Sequence, residues 1–207
     1  MFNVVTISRE YGSGGGTLAQ MLADRLGWKL VNESLVAEVA KRAKVNPEIA
    51  ARFDECVDPW FNRLVKGLWQ GGYEGLATTV DTRAVDSEAM VKITGEIIRE
   101  AAELGKCVIV GRGGQCILRQ RRDVFHVSVF GPHQQKLQRM QGRLAPGADP
   151  ERFMEETDRR RAAYIRRFYG EDWKDRRLYH LVVSSVLGIE TVADTILCAA
   201  GLMPKAS

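Results

Sequence analysis

Apolar positions along the chain switch repeatedly between two periods. Val4, Val5, Thr6 and Ile7 form a β-branched run suited to a buried strand. Leu18, Met21, Leu22 and Leu26 then recur at helical spacing, with Ala19 and Ala23 beside them. Residues 28–32 read as a second strand entered through Gly27, a helix C′ residue, and Leu35, Val36, Val39 and Ala40 give a second helical stripe. Over 87–104, Met90, Ile93, Ile97, Ile98, Ala101 and Leu104 share one face, and Gly105 ends that helix. Cys107, Val108, Ile109 and Val110 are uninterruptedly apolar, as a central parallel strand should be. Val124, Val127, Val129 and Phe130 predict a fourth strand, closed by Gly131 and Pro132, before a helix from His133 carrying Leu137, Met140 and Leu144. A loop at 145–150 leads to a very polar helix ending near Tyr169. A fifth strand at 181–185 and a last helix at 190–200 complete the pattern. Strands alternating with helices predict an α/β fold: a parallel sheet in three layers with right-handed crossovers.

One segment breaks the alternation. Between 46 and 86 no strand pattern occurs, and Pro47, Pro59 and the Gly71-Gly72 pair divide it into short helical pieces carrying Phe53, Trp60, Phe61, Leu64 and Trp69. It reads as a helical insertion able to move over a site, its aromatics forming its own core rather than a base-stacking platform, with Trp60, Phe61, Leu68 and Trp69 alternatively marking a dimer surface.

The 207 residues suit one α/β domain with a small inserted subdomain. With 45% hydrophobic and 27% charged residues, the composition is that of an ordinary globular protein. No apolar run reaches 18 residues, so no membrane partner is expected. The opening residues carry no basic-then-apolar leader, which points to a cytoplasmic protein. Cys56, Cys107, Cys116 and Cys198 form no C-x-x-C pair, and three sit in apolar sequence, the pattern of buried free thiols in a reducing compartment. His126, His133 and His180 form no metal-ligand cluster. The net charge of +4 is modest, but arginines crowd between Arg112 and Arg177. Arginine suits bidentate phosphate recognition. Glu151, Glu155, Glu156 and Asp158 are interleaved with them, which favours discrete sites over a nucleic-acid-binding stripe.

The chemistry centres on residues 8–17, Ser-Arg-Glu-Tyr-Gly-Ser-Gly-Gly-Gly-Thr, between the first strand and the first helix. A glycine-rich turn there would surround an anion with backbone N–H groups and a helix N-terminus. The expected ligand is a nucleotide's phosphate chain, with the Thr17 hydroxyl offered to a metal or a phosphate oxygen. A P-loop reads G-x-x-x-x-G-K-[ST], and no lysine follows these glycines. A dinucleotide-binding turn fits less well, because its third glycine position is Thr17 and only Glu33 stands near the ribose-binding position. A second turn, Gly111-Arg112-Gly113-Gly114, follows the most strand-like run, at the carboxyl end where open α/β sheets bind ligands.

These pieces together resemble the nucleoside monophosphate kinases, most closely the cytidylate kinase-like family. The resemblance is carried by residues 7–15, by Val108-Ile109-Val110-Gly111-Arg112, by Asp158, Arg161 and Tyr164 at D-x-x-R-x-x-Y spacing, and by Asp172-Trp173 followed by Tyr179-x-Leu181-Val182. It runs over nearly the whole length, most weakly through 46–86. It implies a P-loop core (1–45, 87–144 and 178–201), a helical monophosphate-binding insertion at 46–86 and an arginine-bearing lid at 145–177. It also implies transfer of the ATP γ-phosphoryl group, with Mg²⁺, to a nucleoside monophosphate, CMP or dCMP first, by a monomer or homodimer.

On that resemblance Gly12, Ser13, Gly14, Gly15, Gly16 and Thr17 would hold the donor's β-phosphate, with Thr17 near Mg²⁺. Arg112 would floor the acceptor site, and Arg159 and Arg161, or alternatively Arg139 or Arg143, would close over the γ-phosphoryl. Asp158 would orient those guanidiniums or bind the acceptor's base or sugar. Where ordinary cytidylate kinases read G-x-x-G-x-G-K-G-T, Arg9 stands at the first glycine and Gly15 at the lysine. Arg9 is therefore expected to supply the missing charge from the other side of the loop, with Gly15 leaving it room. Ser8 and Gly113 replace aspartates, Glu10 is a replacement candidate near Mg²⁺, and Asn32 and His180 depart at positions bearing on the acceptor. Two further readings stand beside this one: a nucleotide-binding sensor of weak or no catalysis, and a kinase of another small acceptor.

Overall fold

The computed structural model describes residues 1–35, 87–141, 144 and 148–203, with the backbone alone for 87–90. Residues 46–86, including every aromatic of the expected insertion, lie outside them, as does Arg143. The chain divides into two compact units, Met1–Leu30 with Lys106–Ser207, and Val31–Gly105.

The first unit is built on strands β1 (Val4–Arg9), β2 (Lys29–Val31, crossing the boundary), β3 (Cys107–Val110), β4 (Val124–Phe130) and β5 (Leu181–Ser184). They form one sheet in the order β2-β3-β1-β4-β5. β1 pairs in parallel with β3 and β4, and β4 with β5. Helices α1 (Gly15–Leu26) and, at the end of the chain, α6 (Ile189–Ala199) cover one face. Val5, Ile7, Val108, Val110, Val127, Val129 and Val183 point to that face and bury against Leu18, Leu22, Val192 and Ile196. Alternation along the strands sends Thr6, Ser8, His126 and Ser128 to the other face. That face is also largely buried, and there Thr6, Ser8 and His126 sit beside the apolar Val4, Cys107, Ile109 and Val124.

Between them lie α3 (Gly114–Ile117), α4 (His133–Met140) and α5 (Pro150–Tyr169). In the second unit α2 (Ser87–Leu104) buries Ile93, Ile97, Ile98, Ala101 and Ala102, most of the stripe read from the sequence. Three readings shift. β1 runs two residues further, because β4 supplies partners out to Val129, so Ser8 and Arg9 belong to the strand rather than the loop. α3 carries no apolar period and was not expected. Of the cysteines among the described residues only Cys107 is buried; Cys116 is half-buried and Cys198 exposed.

Candidate functional site

The loop after β1 is folded by its own atoms. Both the backbone N–H and the hydroxyl of Ser13 donate to the Glu10 carbonyl, at 3.3 and 2.8 Å. Gly14 caps α1 in the left-handed region (φ 82°) and contributes no side chain to the cap. The first-turn residues Gly15, Gly16 and Thr17 therefore have no side-chain partner for their amides, while Gly16 and Thr17 face solvent. A Cβ placed on Gly16 would meet nothing within 4 Å. An uncapped, open helix N-terminus preceded by glycines suits a phosphate group.

Arg9 crosses from this loop to the next. A Cβ on Gly15 would lie 2.5 Å from the Arg9 Cβ and 2.9 Å from its Cγ, so the arginine's stem occupies the space beside the position where a P-loop carries lysine. The guanidinium continues to Gly111, where an added Cβ would collide with Nη1 and lie 3.1 Å from Cζ. Gly15 thus does leave room for Arg9. The receiving turn is unusual in its backbone: Gly111, Arg112 and Gly113 all have positive φ, at 70°, 54° and 75°. Arginine rarely adopts that region, and the turn sets Arg112 directly after Gly111 at the carboxyl end of β3.

α5 braces the loop from one side. Asp158 Oδ1 accepts from the Tyr11 N–H at 2.8 Å and from Arg161 Nη1 at 3.1 Å, and the same Nη1 donates to the Arg9 carbonyl at 2.9 Å. The Arg161 guanidinium lies 5.5 Å from the Tyr11 ring centroid, and Phe153 meets that ring edge-on at 5.3 Å. Burial raises the Asp158 pKa above the ordinary carboxylate value; the Tyr11 amide and the charges of Arg161 and Lys136 pull the other way. Asp158 thus pairs with Arg161. Arg159 is exposed on a different side of α5 and is not brought to the loop.

α4 braces it from the other side. Arg139 Nη1 donates to the Gly12 carbonyl at 3.3 Å and to Ser185 Oγ at 2.9 Å, so it secures the glycine-rich loop to the end of β5. Lys136, passed over in the sequence, places Nζ 2.8 Å from Glu10 Oε2. Its three-residue spacing from Arg139 on one helix face was the only signal available. Asn32, in the other unit, accepts from the Leu35 N–H and caps a local turn. Ser8 is locked away: Trp173 Nε1 donates to its hydroxyl at 2.6 Å and Tyr179 Oη lies 3.2 Å from it. The Asp-Trp and Tyr-x-Leu-Val segments thus meet at one buried serine.

Among the described residues no three His, Cys, Asp or Glu side chains cluster to hold a metal. A lone exposed hydroxyl at Thr17 fits Mg²⁺ carried mainly by phosphate oxygens and water, rather than by a protein cage. No helix of the described residues is long and apolar enough to cross a membrane.

Comparison with known proteins identifies the family and the fold. The profile of the cytidylate kinase-like family matches residues 4–186. The cytidylate kinase of Shewanella sediminis is 41% identical over 46 residues, 22% of this chain and 20% of that protein. The chain thus matches only about a fifth of that relative's length. Among solved structures, an uncharacterised protein from Eubacterium ventriosum superposes with a TM-score of 0.69 at 21% identity, over 98% of this chain and 100% of that one. Shikimate kinase from Bacteroides thetaiotaomicron superposes at 0.53 and 13% identity, over 96% and 98%. A sugar kinase from Janibacter does so at 0.51 and 15%, over 99% and 97%. At these identities the likeness establishes the fold, a five-stranded parallel sheet shared with P-loop kinases.

Proposed function

The chain belongs to the cytidylate kinase-like family, and from that premise we propose that it transfers the γ-phosphoryl group of ATP to a nucleoside monophosphate, CMP or dCMP first. The observation that carries the proposal is Arg9, whose stem passes beside Gly15 and whose guanidinium reaches Gly111, the residue before Arg112 in the chain. A cation is needed where negative charge develops between donor and acceptor, and the loop lysine that ordinarily serves is absent.

In this reading the first-turn amides of Gly15, Gly16 and Thr17, with the preceding residues 12–14, bind the donor's β-phosphate. Thr17 would hold Mg²⁺, which when bound neutralises phosphate charge and aligns the chain. Arg112 binds the acceptor's phosphate at the carboxyl end of β3. An oxygen of that phosphate attacks the γ-phosphorus as the bond to the β–γ bridging oxygen breaks, leaving ADP. Arg9 lies across both partners and stabilises the charge spread over the transferring group. Arg161, aimed by Asp158, and Arg139 fix the loop against which this happens, and the lid role given to 145–177 belongs to the same proposal.

Turnover is tested by ADP release against a panel of nucleoside monophosphates and other small hydroxylated acceptors. CMP or dCMP is expected to give the highest kcat/KM, and Arg9→Ala to lower kcat by at least about a hundredfold, as loss of one oxyanion-type donor does. Unchanged turnover in Arg9→Ala would remove the assignment. One observation favours the sensor reading: Ser8 is buried under Trp173 and Glu10 is already paired, so the acidic groups around the metal are few. Tight ATP binding with no turnover on any acceptor would establish it instead.

A further inference from the structure

The ion pair of Glu10 and Lys136 has no part in the transfer described above, yet it sits on the phosphate loop itself. Glu10 is the residue whose carbonyl closes the loop's turn onto Ser13. Its carboxylate would repel an incoming polyphosphate unless another group held or neutralised it. Oε2 receives Lys136 Nζ at 2.8 Å and lies 3.4 Å from the Gly131 N–H. Lys136 is well placed for more than this pairing. Its Cβ and carbonyl oxygen each lie 3.1 Å from where a Cβ on Gly12 would stand, so α4 rests directly on the loop's first glycine. Its side chain is only 13% exposed, against 26% for Glu10. The other acidic group near it, Asp158, already accepts from the Tyr11 amide and Arg161, and feels the Lys136 charge.

We propose that Lys136 is a phosphate-binding cation held in reserve by Glu10: with the loop empty Glu10 neutralises it, and a bound polyphosphate takes its ammonium from Glu10. The loop's second cation would then come from α4, from outside the sequence motif altogether. The ligand class is an inorganic or nucleoside-linked polyphosphate. The inference rests on the reading of residues 12–17 as a phosphate site, and its test separates the two.

Binding of tripolyphosphate and of metal-free ATP in EDTA is measured by calorimetry for the intact chain and for Glu10→Gln, Lys136→Met and Lys136→Arg. Removing the competing carboxylate is expected to tighten binding several-fold, while Lys136→Met weakens it about tenfold or more, as loss of a charge-assisted hydrogen bond does. Lys136→Arg should restore most of the affinity. A purely structural ion pair would give the same sign for both neutralising variants, because each breaks the same brace. Glu10→Gln weakening binding alongside Lys136→Met, or neither variant moving it, overturns the inference and leaves the phosphate site standing. No polyphosphate binding by the unmodified chain overturns both.

Discussion

Two glycine-rich turns follow neighbouring central strands, and the same side chain touches both, yet they use their glycines differently. After β1, Gly16 opens to empty space beside an uncapped helix end. That turn is free where a ligand would enter. After β3 the space is filled from within. The Arg9 guanidinium fills the approach to Gly111, and the Tyr169 ring stands 2.5 Å from where a Cβ on Gly113 would be. Gly114 in turn rests on Thr6 and Ile109. At Gly16 the first turn leaves room for a visitor, whereas Gly12, Gly14 and Gly15, like the glycines of the second turn, make room for the protein's own atoms. A Gly-rich stretch therefore marks close approach without saying by what.

The largest expected effect comes from closing the second turn. Gly111→Ala adds a methyl group to a residue at φ 70° and into the Arg9 guanidinium. It should cost about 1–3 kcal/mol of stability through the backbone alone. It should also lower turnover at least as far as Arg9→Ala does, since Arg9 would be expelled. A variant of unchanged kcat would mean that Arg9 works from elsewhere and that the two turns are not linked through it.

Next comes an exchange between the turns. Gly15→Lys restores a P-loop lysine but drives its Cβ into the Arg9 stem at 2.5 Å. Alone it should destabilise by about 1–3 kcal/mol, the usual cost of overpacking, and abolish turnover. Combined with Arg9→Gly it should recover both in part, a strongly non-additive pair readable from thermal melts and ADP release. Additive losses would break the view that Arg9 and the lysine position compete for one space.

The smallest effect on turnover tests what lies beneath the second turn. Thr6, on which Gly114 rests, lies with Oγ1 2.7 Å from Nδ1 of buried His126, whose ring stacks on His180 at 5.3 Å between centroids. Burial, and secondarily the His180 charge, lower the His126 pKa to about 4, against a weak opposing pull from the Leu118 carbonyl. In the unfolded chain the ring titrates near 6.5. The unfolded state therefore takes up the proton first, so stability is full above about pH 6.5 and falls as the pH drops toward 4, by at most about 3 kcal/mol. Urea unfolding at pH 7 and 4.5 measures the drop, and His126→Gln should flatten it. An equal drop in both proteins would show that carboxylates elsewhere carry it.

Much of the core was readable because its determinants are local. The stripe Leu18, Leu22, Ala19, Ala23 is buried as its spacing requires, and the run from Cys107 to Val110 is the buried strand that its lack of polar residues implies. Boundaries moved where a partner strand decided them. Val129 extended β1 over Arg9, and no residue of β1 itself signals that. The site was legible in its loop and incomplete in its partners. Arg161 and Asp158 were drawn from a motif, but their contact with the Arg9 carbonyl and Tyr11 amide spans some 150 positions. Arg159, two residues from Arg161, shares the charge pattern and points away, since successive helical positions turn by about 100°.

By itself the sequence determined the glycine-rich turn between the first strand and the first helix and the parallel α/β order, because glycine conformations and apolar periods act over a few residues. Only the tertiary structure decided which charges meet. It sent Arg9 toward Gly111, held Glu10 to Lys136 across 126 positions, and buried Ser8 beneath Trp173. The physical reason is that side-chain direction and ion pairing follow from strand register and helix docking, which bring together residues whose separation along the chain carries no period.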